Sequence, residues 1–250
     1  MSLSNPKLQN PAKKFIEFKG DKGIFQYFDK ELGEKGETVE FTMPFYFIVL
    51  DELSAITGFN EKNQCGIYSN EIHSLNDEIL KVKTFQGGIS IVGKYADIKN
   101  DIKAIGGKFT KSIYAMLLGK ENEFVHFKFS GSAFGSWLEK KIDLQKAAVL
   151  VNETARGEKG IIKFIYPIFK QTIIPPTKKY VWDAALKMDK ELQLYLISYK
   201  NNQIEKAVAI EENTQVVENE SEGTDPDWDK MEQMSNKNHV DIPPTDDLPF

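Results

Sequence analysis

Between Lys13 and about Ile174 the chain is a succession of short segments rich in aromatic and β-branched residues, broken by glycine and polar turns. The strongest are 39–51, 79–85, 88–95, 108–117, 123–129 and 161–172, with shorter candidates at 14–18, 23–29, 65–70 and 147–153. Segments this short and this apolar are stable only when paired into a sheet with one face covered. Two short helices interrupt them. In 97–105, Ile98, Ile102 and Ile105 form a stripe, Asp97 is placed to cap the start, and Gly106-Gly107 ends it. In 132–142, Phe134 and Leu138 lie on one side, and Trp137, beside Lys140 and Lys141, is read as packed.

After Pro175-Pro176, Thr177 is placed to cap a longer helix. Val181, Ala185, Met188, Leu192, Tyr195 and Tyr199 recur there at spacings of three and four. That face either packs on the sheet or forms an oligomer contact. Beyond Asn201 the chain becomes acidic and poor in apolar residues, so 201–250 is expected to be a disordered tail. Residues 1–12 form a polar lead-in, which leaves 13–200 as the folded domain. The expected fold is mainly β with a few helices: a partly open barrel of the oligonucleotide-binding (OB) type, enlarged by insertions.

Charge is segregated along the chain. The net charge is -5, from 32 basic and 37 acidic residues. Residues 206–250 hold twelve of the acidic and three of the basic ones, a net of -9, and the remaining 29 and 25 give residues 1–205 a net of +4. An acidic tail on a basic body points toward nucleic-acid partners. Arg156 is the only arginine. Lysine tracks phosphates as a point charge, whereas bidentate reading of base edges favours arginine, so the expected binding is tolerant of sequence.

The period of two along three strands sorts the side chains. In 79–85, Leu80, Val82 and Thr84 point one way and Lys81, Lys83 and Phe85 the other. In 123–129, Val125, Phe127 and Phe129 face the core, opposite Phe124, His126 and Lys128. In 108–117, Phe109, Ile113, Ala115 and Leu117 form the inward set, with Lys111 an exception, and Lys108, Thr110 and Tyr114 turn outward. A surface mixing lysines with rings suits single strands, because cations neutralise phosphates and rings stack on bases of any identity. The expected binding residues are therefore Lys81, Lys83, Phe85, Lys108, Tyr114, Phe124, His126 and Lys128.

Catalytic readings find little support, and the chain is expected to be a binding protein and not an enzyme. Glu17-Phe18-Lys19 fits half of a metal-dependent nuclease motif, but no acidic residue precedes Glu17. Asp77 and Glu78 near Lys81 match only loosely. The glycine pairs lack phosphate-loop spacing. One cysteine and three scattered histidines give no metal cluster, so no metal or cofactor is expected. No apolar run approaches a membrane span, and no signal region opens the chain, so a cytoplasmic protein is expected.

The tail closes on Asp246-Asp247-Leu248-Pro249-Phe250. A partner can seat the Phe250 ring in an apolar pocket, pair the terminal carboxylate with a basic residue and meet the aspartates with a basic rim. This tip resembles the C-terminal peptide of bacterial and phage single-stranded DNA-binding proteins. The resemblance implies coating of single-stranded DNA in a bacterial cell and recruitment of polymerase, helicase, primase or recombination proteins through Asp246, Asp247, Leu248, Pro249 and Phe250. The body is longer than the compact bacterial protein, and the tail lacks that family's Gly/Gln/Pro-rich linker, which suggests a phage or mobile-element version. Asp225-Pro226-Asp227-Trp228-Asp229, with Met231 and Met234 following, is read as spacer, with a second docking segment as the alternative. Two rivals stand beside this reading: an adaptor that docks through the same tail while its body binds protein, and a strand-annealing protein. Surface rings that all proved buried would favour the adaptor.

Overall fold

Alternating apolar residues make strands only if a partner covers their faces, and the partners follow from the order of elements. The computed structural model describes residues 8–85, 88–140, 142–144, 147–174 and 178–217, from 201 onward as backbone alone. Its elements are β1 (Lys14–Lys19), β2 (Ile24–Asp29), β3 (Glu37–Phe41), β4 (Phe45–Asn60), β5 (Cys65–Ser69), β6 (Leu80–Thr84) and β7 (Ser90–Gly93). Then come α1 (Tyr95–Ala104), β8 (Gly107–Leu118), β9 (Glu123–Phe129), α2 (Gly131–Glu139), β10 (Ala148–Lys159), β11 (Ile162–Thr172) and α3 (Lys179–Val217).

The strands join in one open sheet in the order β3-β2-β1-β9-β8-β4-β5-β6-β7. Among the described strands only β1 and β9 run parallel. The long strand β4 organises the whole. Along one edge it pairs with β8 from Tyr46 to Gly58. Its other edge is shared, with Phe45–Phe47 holding β10 and Thr57–Asn60 holding β5. The sheet therefore branches at β4 into a β10-β11 hairpin at one end and a β5-β6-β7 arm at the other.

One face curls around an aromatic core. Phe25, Phe45, Phe47, Phe127, Phe129 and Trp137 pack there beneath α2, with Phe169 of β11 against the Phe129 and Trp137 rings. Under the arm, Ile56, Ile67, Leu80 and Val82 meet Ile98 and Ile102 of α1. Gly106 holds φ +89 and lets the chain leave α1 directly into β8. The opposite face of the sheet is covered only in part. Val181 and Ala185 of α3 pack against Ile48, Met116 and Ala148, while Leu192 and Leu196 pack against Leu53 and Tyr114. No described helix is long and apolar enough to cross a membrane.

The mainly β class with three helices and a C-terminal amphipathic helix matches the expectation; the sheet is open and unclosed. Several details differ. The segment 39–51 divides at the cis Met43-Pro44 bond, and its second part runs on to Asn60. Helix α1 begins at Tyr95, so Asp97 lies in its first turn and Lys94 occupies the cap position. On α2 the buried set is Ala133, Phe134 and Trp137, with Leu138 outside. Thr177 lies outside the described residues. Helix α3 continues through 201–217, where the tail was expected to begin. That stretch holds neither glycine nor proline, so nothing in it breaks a helix already nucleated. The chain divides at Leu196/Ile197 into two units, the second represented in the described residues by the rest of α3. The docking tip at 246–250 lies outside the described residues.

Candidate nucleic-acid interface

Cross-strand register puts the eight residues singled out from sequence on a single sheet face. Lys83 lies opposite Tyr68, Tyr68 opposite Thr57, and Thr57 opposite Lys108. Two and four residues along β8 from Thr110, Ser112 lies opposite Lys128 and Tyr114 opposite His126, and Met116 pairs with Phe124. Beyond β9, Phe15 faces His126 and Glu17 faces Lys128. This face has two differently built ends.

The arm end is open. Its far side is filled by Ile67, Leu80 and Val82 against α1, and among the described residues no helix packs over the side chains that alternate with them. Phe85 is 78% exposed, and its ring lies 5.3 Å from that of Tyr68, itself 42% exposed. The Phe85 N–H donates to Gly66 O at 2.9 Å, and Gly66 pairs with Phe59, another exposed ring. Lys81 is half-buried beside exposed Val92, while Lys83 and Lys108 stand in solvent. Among the described residues no ion pair involves any of these three lysines. Three rings and three cations with no described acidic partner thus share one pleated surface.

The central end is closed, which corrects the sequence reading of Tyr114 and His126. Tyr114 is 1% exposed and His126 is 2% exposed. Leu192 and Leu196 of α3 cover this end, and Glu71 reaches across it from beyond β5. The Tyr114 hydroxyl donates to Glu71 Oε2 at 2.8 Å and accepts from Asn10 Nδ2 at 3.3 Å. The Ser112 hydroxyl donates to Glu71 and contacts His126 Nε2. With the Ser112 hydroxyl hydrogen directed at Glu71, His126 donates from Nε2 to the Ser112 oxygen, which leaves Nδ1 a buried acceptor with no described partner. Its ring stacks on Tyr114 at 4.2 Å between centroids. Burial, with the Lys128 charge adding to it, holds the imidazole pKa down to about 3. Burial and the Glu71 carboxylate push the Tyr114 hydroxyl far above its ordinary value. Thr110 is also buried, hydrogen-bonded to Thr57 at 2.6 Å between hydroxyl oxygens. Phe124 is half-buried in the same α3-covered cluster. Alternation separates the two faces of β8 correctly, but α3 covers the second one.

At the far rim, Lys128 stays exposed with its Nζ 5.7 Å from the Phe15 ring centroid, a cation–π contact. Phe15 is itself 44% exposed.

Sequence reasoning missed Tyr68, Phe59 and Phe15. For Phe59 a signal exists in the alternation of Ile56 and Gly58 with Thr57 and Phe59, masked by the glycine. A Cβ at position 58 would stand 2.3 Å from Gly106 O, so glycine here serves a close backbone approach and not a turn.

Ser112, His126 and Glu71 do not form a nucleophile triad. Hydroxyl and carboxylate both approach the same imidazole nitrogen, whereas a relay needs them on opposite nitrogens. Ser112 is also closed to solvent. On the other sheet face, Glu52 pairs with Lys111 at 2.9 Å and accepts from Trp137 Nε1 at 3.1 Å. Lys140 lies over the Trp137 ring, and burial lowers its pKa to about 8 against the pull of Glu52. This bridge ties α2 to β4 and β8. Among the described residues no group of three acidic, histidine or cysteine side chains is arranged to hold a metal ion. Comparison with protein-family models, with curated proteins and with solved structures finds no match to this chain.

Proposed function

We propose that the chain binds single-stranded nucleic acid, without sequence preference, on the open arm of its sheet. The observation that carries the proposal is the surface of Phe59, Tyr68 and Phe85 interleaved with Lys81, Lys83 and Lys108, none of the cations neutralised by a described acidic partner. Exposed rings cost solvation unless something covers them, and bases present flat apolar faces of matching size. Lysines suit a phosphate backbone whose position is not fixed by bidentate contacts. A duplex hides the base faces that these rings would meet. The exposed rings favour this reading over a body that binds only protein.

The acidic residues and the Leu248-Pro249-Phe250 tip are proposed to dock replication, repair or recombination proteins, a role that rests on the sequence resemblance. The direct test is a fluorescence titration of the full chain with a single-stranded oligonucleotide and with its duplex at two salt concentrations. Binding to the single strand should be far tighter and should weaken with salt, with a log–log slope of about -0.7 per phosphate neutralised. Equal affinity for both forms would overturn the proposal.

A further inference from the structure

The β10-β11 hairpin runs on beyond the sheet. β10 pairs with β4 only through Val149–Val151, whereas its ladder with β11 continues to Lys159 and Ile162. The two strands turn through Gly160 and Ile161, with Gly160 at φ +61. Glycine first in a two-residue turn matches the right-handed strand twist.

The stalk of this hairpin is braced. The Ile165 N–H donates to Gly20 O at 2.9 Å in the β1-β2 turn, and Ser132 of α2 donates its hydroxyl to Ile165 O at 2.7 Å. Beyond Phe164, which packs beside Tyr166, the turn stands in solvent. Ile161 is 99% exposed and Ile162 is 42% exposed. Exposed Arg156, Lys159 and Lys163 flank them on both strands, against Glu158 alone among the acidic residues of the same stretch. A fully exposed β-branched residue on a stiff stalk, ringed by cations, is an apolar point carried to a polyanion.

We propose that this tip is a wedge that enters the base stack where a single strand meets duplex, so that the protein opens duplex ends as well as coating the strand. The inference rests on the proposed single-strand binding, but uses a different part of the fold. The arm leaves the Thr57–Asn60 end of β4, whereas the hairpin leaves the Phe45–Phe47 end. Ile161 inserts between neighbouring bases, and Arg156 and Lys163 take phosphates on either side. No covalent bond is made or broken; at the junction, base-pair hydrogen bonds are exchanged for bonds to water, and stacking between bases for contact with the isoleucine.

The test uses the full chain and a forked DNA duplex carrying a fluorophore and quencher at the junction. The Ile161→Ser, Ile162→Ser double variant alters exposed side chains, so folding is expected to be preserved and circular dichroism checks it. Opening of the fork should fall about tenfold, the equivalent of losing one buried aliphatic side chain, while affinity for a short single strand changes by less than about twofold. Ile161→Phe, which keeps an apolar wedge, should retain opening. Unchanged opening in the serine variant would overturn the wedge, as would a parallel loss of single-strand affinity or a shift in oligomeric state. A wild-type chain that binds single strands but opens no fork defeats the wedge alone. One that binds no single strand defeats the arm reading first.

Discussion

The arm and the centre of the sheet share one face and one alternation of side chains, yet they end in opposite environments. On the arm, Lys83 and Phe85 alternate with buried Val82 and Thr84, and the exposed set meets solvent. At the centre, Tyr114 and His126 alternate with buried Ile113, Val125 and Phe127, and the second set is buried as well, under Leu192, Leu196 and Glu71. Alternation assigns a residue to a face. What lies over that face is decided by α3, which comes later in the chain. A ring at the centre therefore holds the fold, and a ring on the arm is available to a ligand.

The largest expected effect is at the centre. Tyr114→Ala should destabilise the protein by about 3–5 kcal/mol, the range for removing a large buried ring, and more if Glu71 Oε2 loses the hydroxyl that donates to it. Chemical denaturation checks this. The matching arm variant, Phe85→Ala, should leave stability within about 0.5 kcal/mol, since the ring faces water. It should instead cost about 1–3 kcal/mol of single-strand affinity. A stability loss at Phe85 as large as that at Tyr114 would erase the distinction between the two ends.

The next effect is on pH dependence and belongs to the centre alone. His126 is held neutral in the fold down to about pH 3, whereas its unfolded form takes a proton near its ordinary value of 6.5. Below pH 6.5 the unfolded state therefore binds the extra proton, and stability falls as pH drops toward 3, by roughly 1 kcal/mol for each pH unit in that window. His126→Phe should flatten this part of the curve. If the wild-type and variant curves stay parallel from pH 6.5 to 4, the imidazole is not held neutral by the fold.

Smaller effects sharpen the arm. Lys83→Glu should weaken single-strand binding and flatten its salt dependence by about 0.7 in the log–log slope if one phosphate contact is lost. Lys128→Glu, at the far rim beside Phe15, should change the slope less than Lys83→Glu. Equal changes would extend the site across the whole face. Removing residues 241–250 should leave strand affinity unchanged or slightly tighter, because a tethered polyanion competes weakly for the same cations.

Much of this was legible in the sequence, and the failures share a cause. The strands were visible because their period of two is written in Phe, Ile, Val and Tyr, and the stripe Val181, Ala185, Leu192 was visible as one face of a helix. Lys81, Lys83 and Phe85 were assigned to the right face because β6 has only one covering layer, and a single layer is what alternation reports. Tyr114 and His126 were misjudged because both faces of β8 and β9 are covered near α3, which local pattern cannot reveal. Tyr68 and Phe59 were missed because recognising them needs the register between β4, β5 and β6. Phe59 was hidden further by Gly58, which looks like a strand breaker when its reason is the nearby Gly106 carbonyl. The reach of Glu71 onto Ser112 and Tyr114 is a contact across some forty residues, with no local signature.

The central claim is that the arm, and not the covered centre, takes the single strand. The most direct measurement is a salt-controlled titration of single-stranded oligonucleotide with the Tyr68→Ala, Phe85→Ala double variant, alongside its thermal unfolding. Affinity should fall at least about tenfold with the melting temperature nearly unchanged, since two stacking rings are removed from a solvent-facing surface. Unchanged affinity in a variant that remains folded would contradict it.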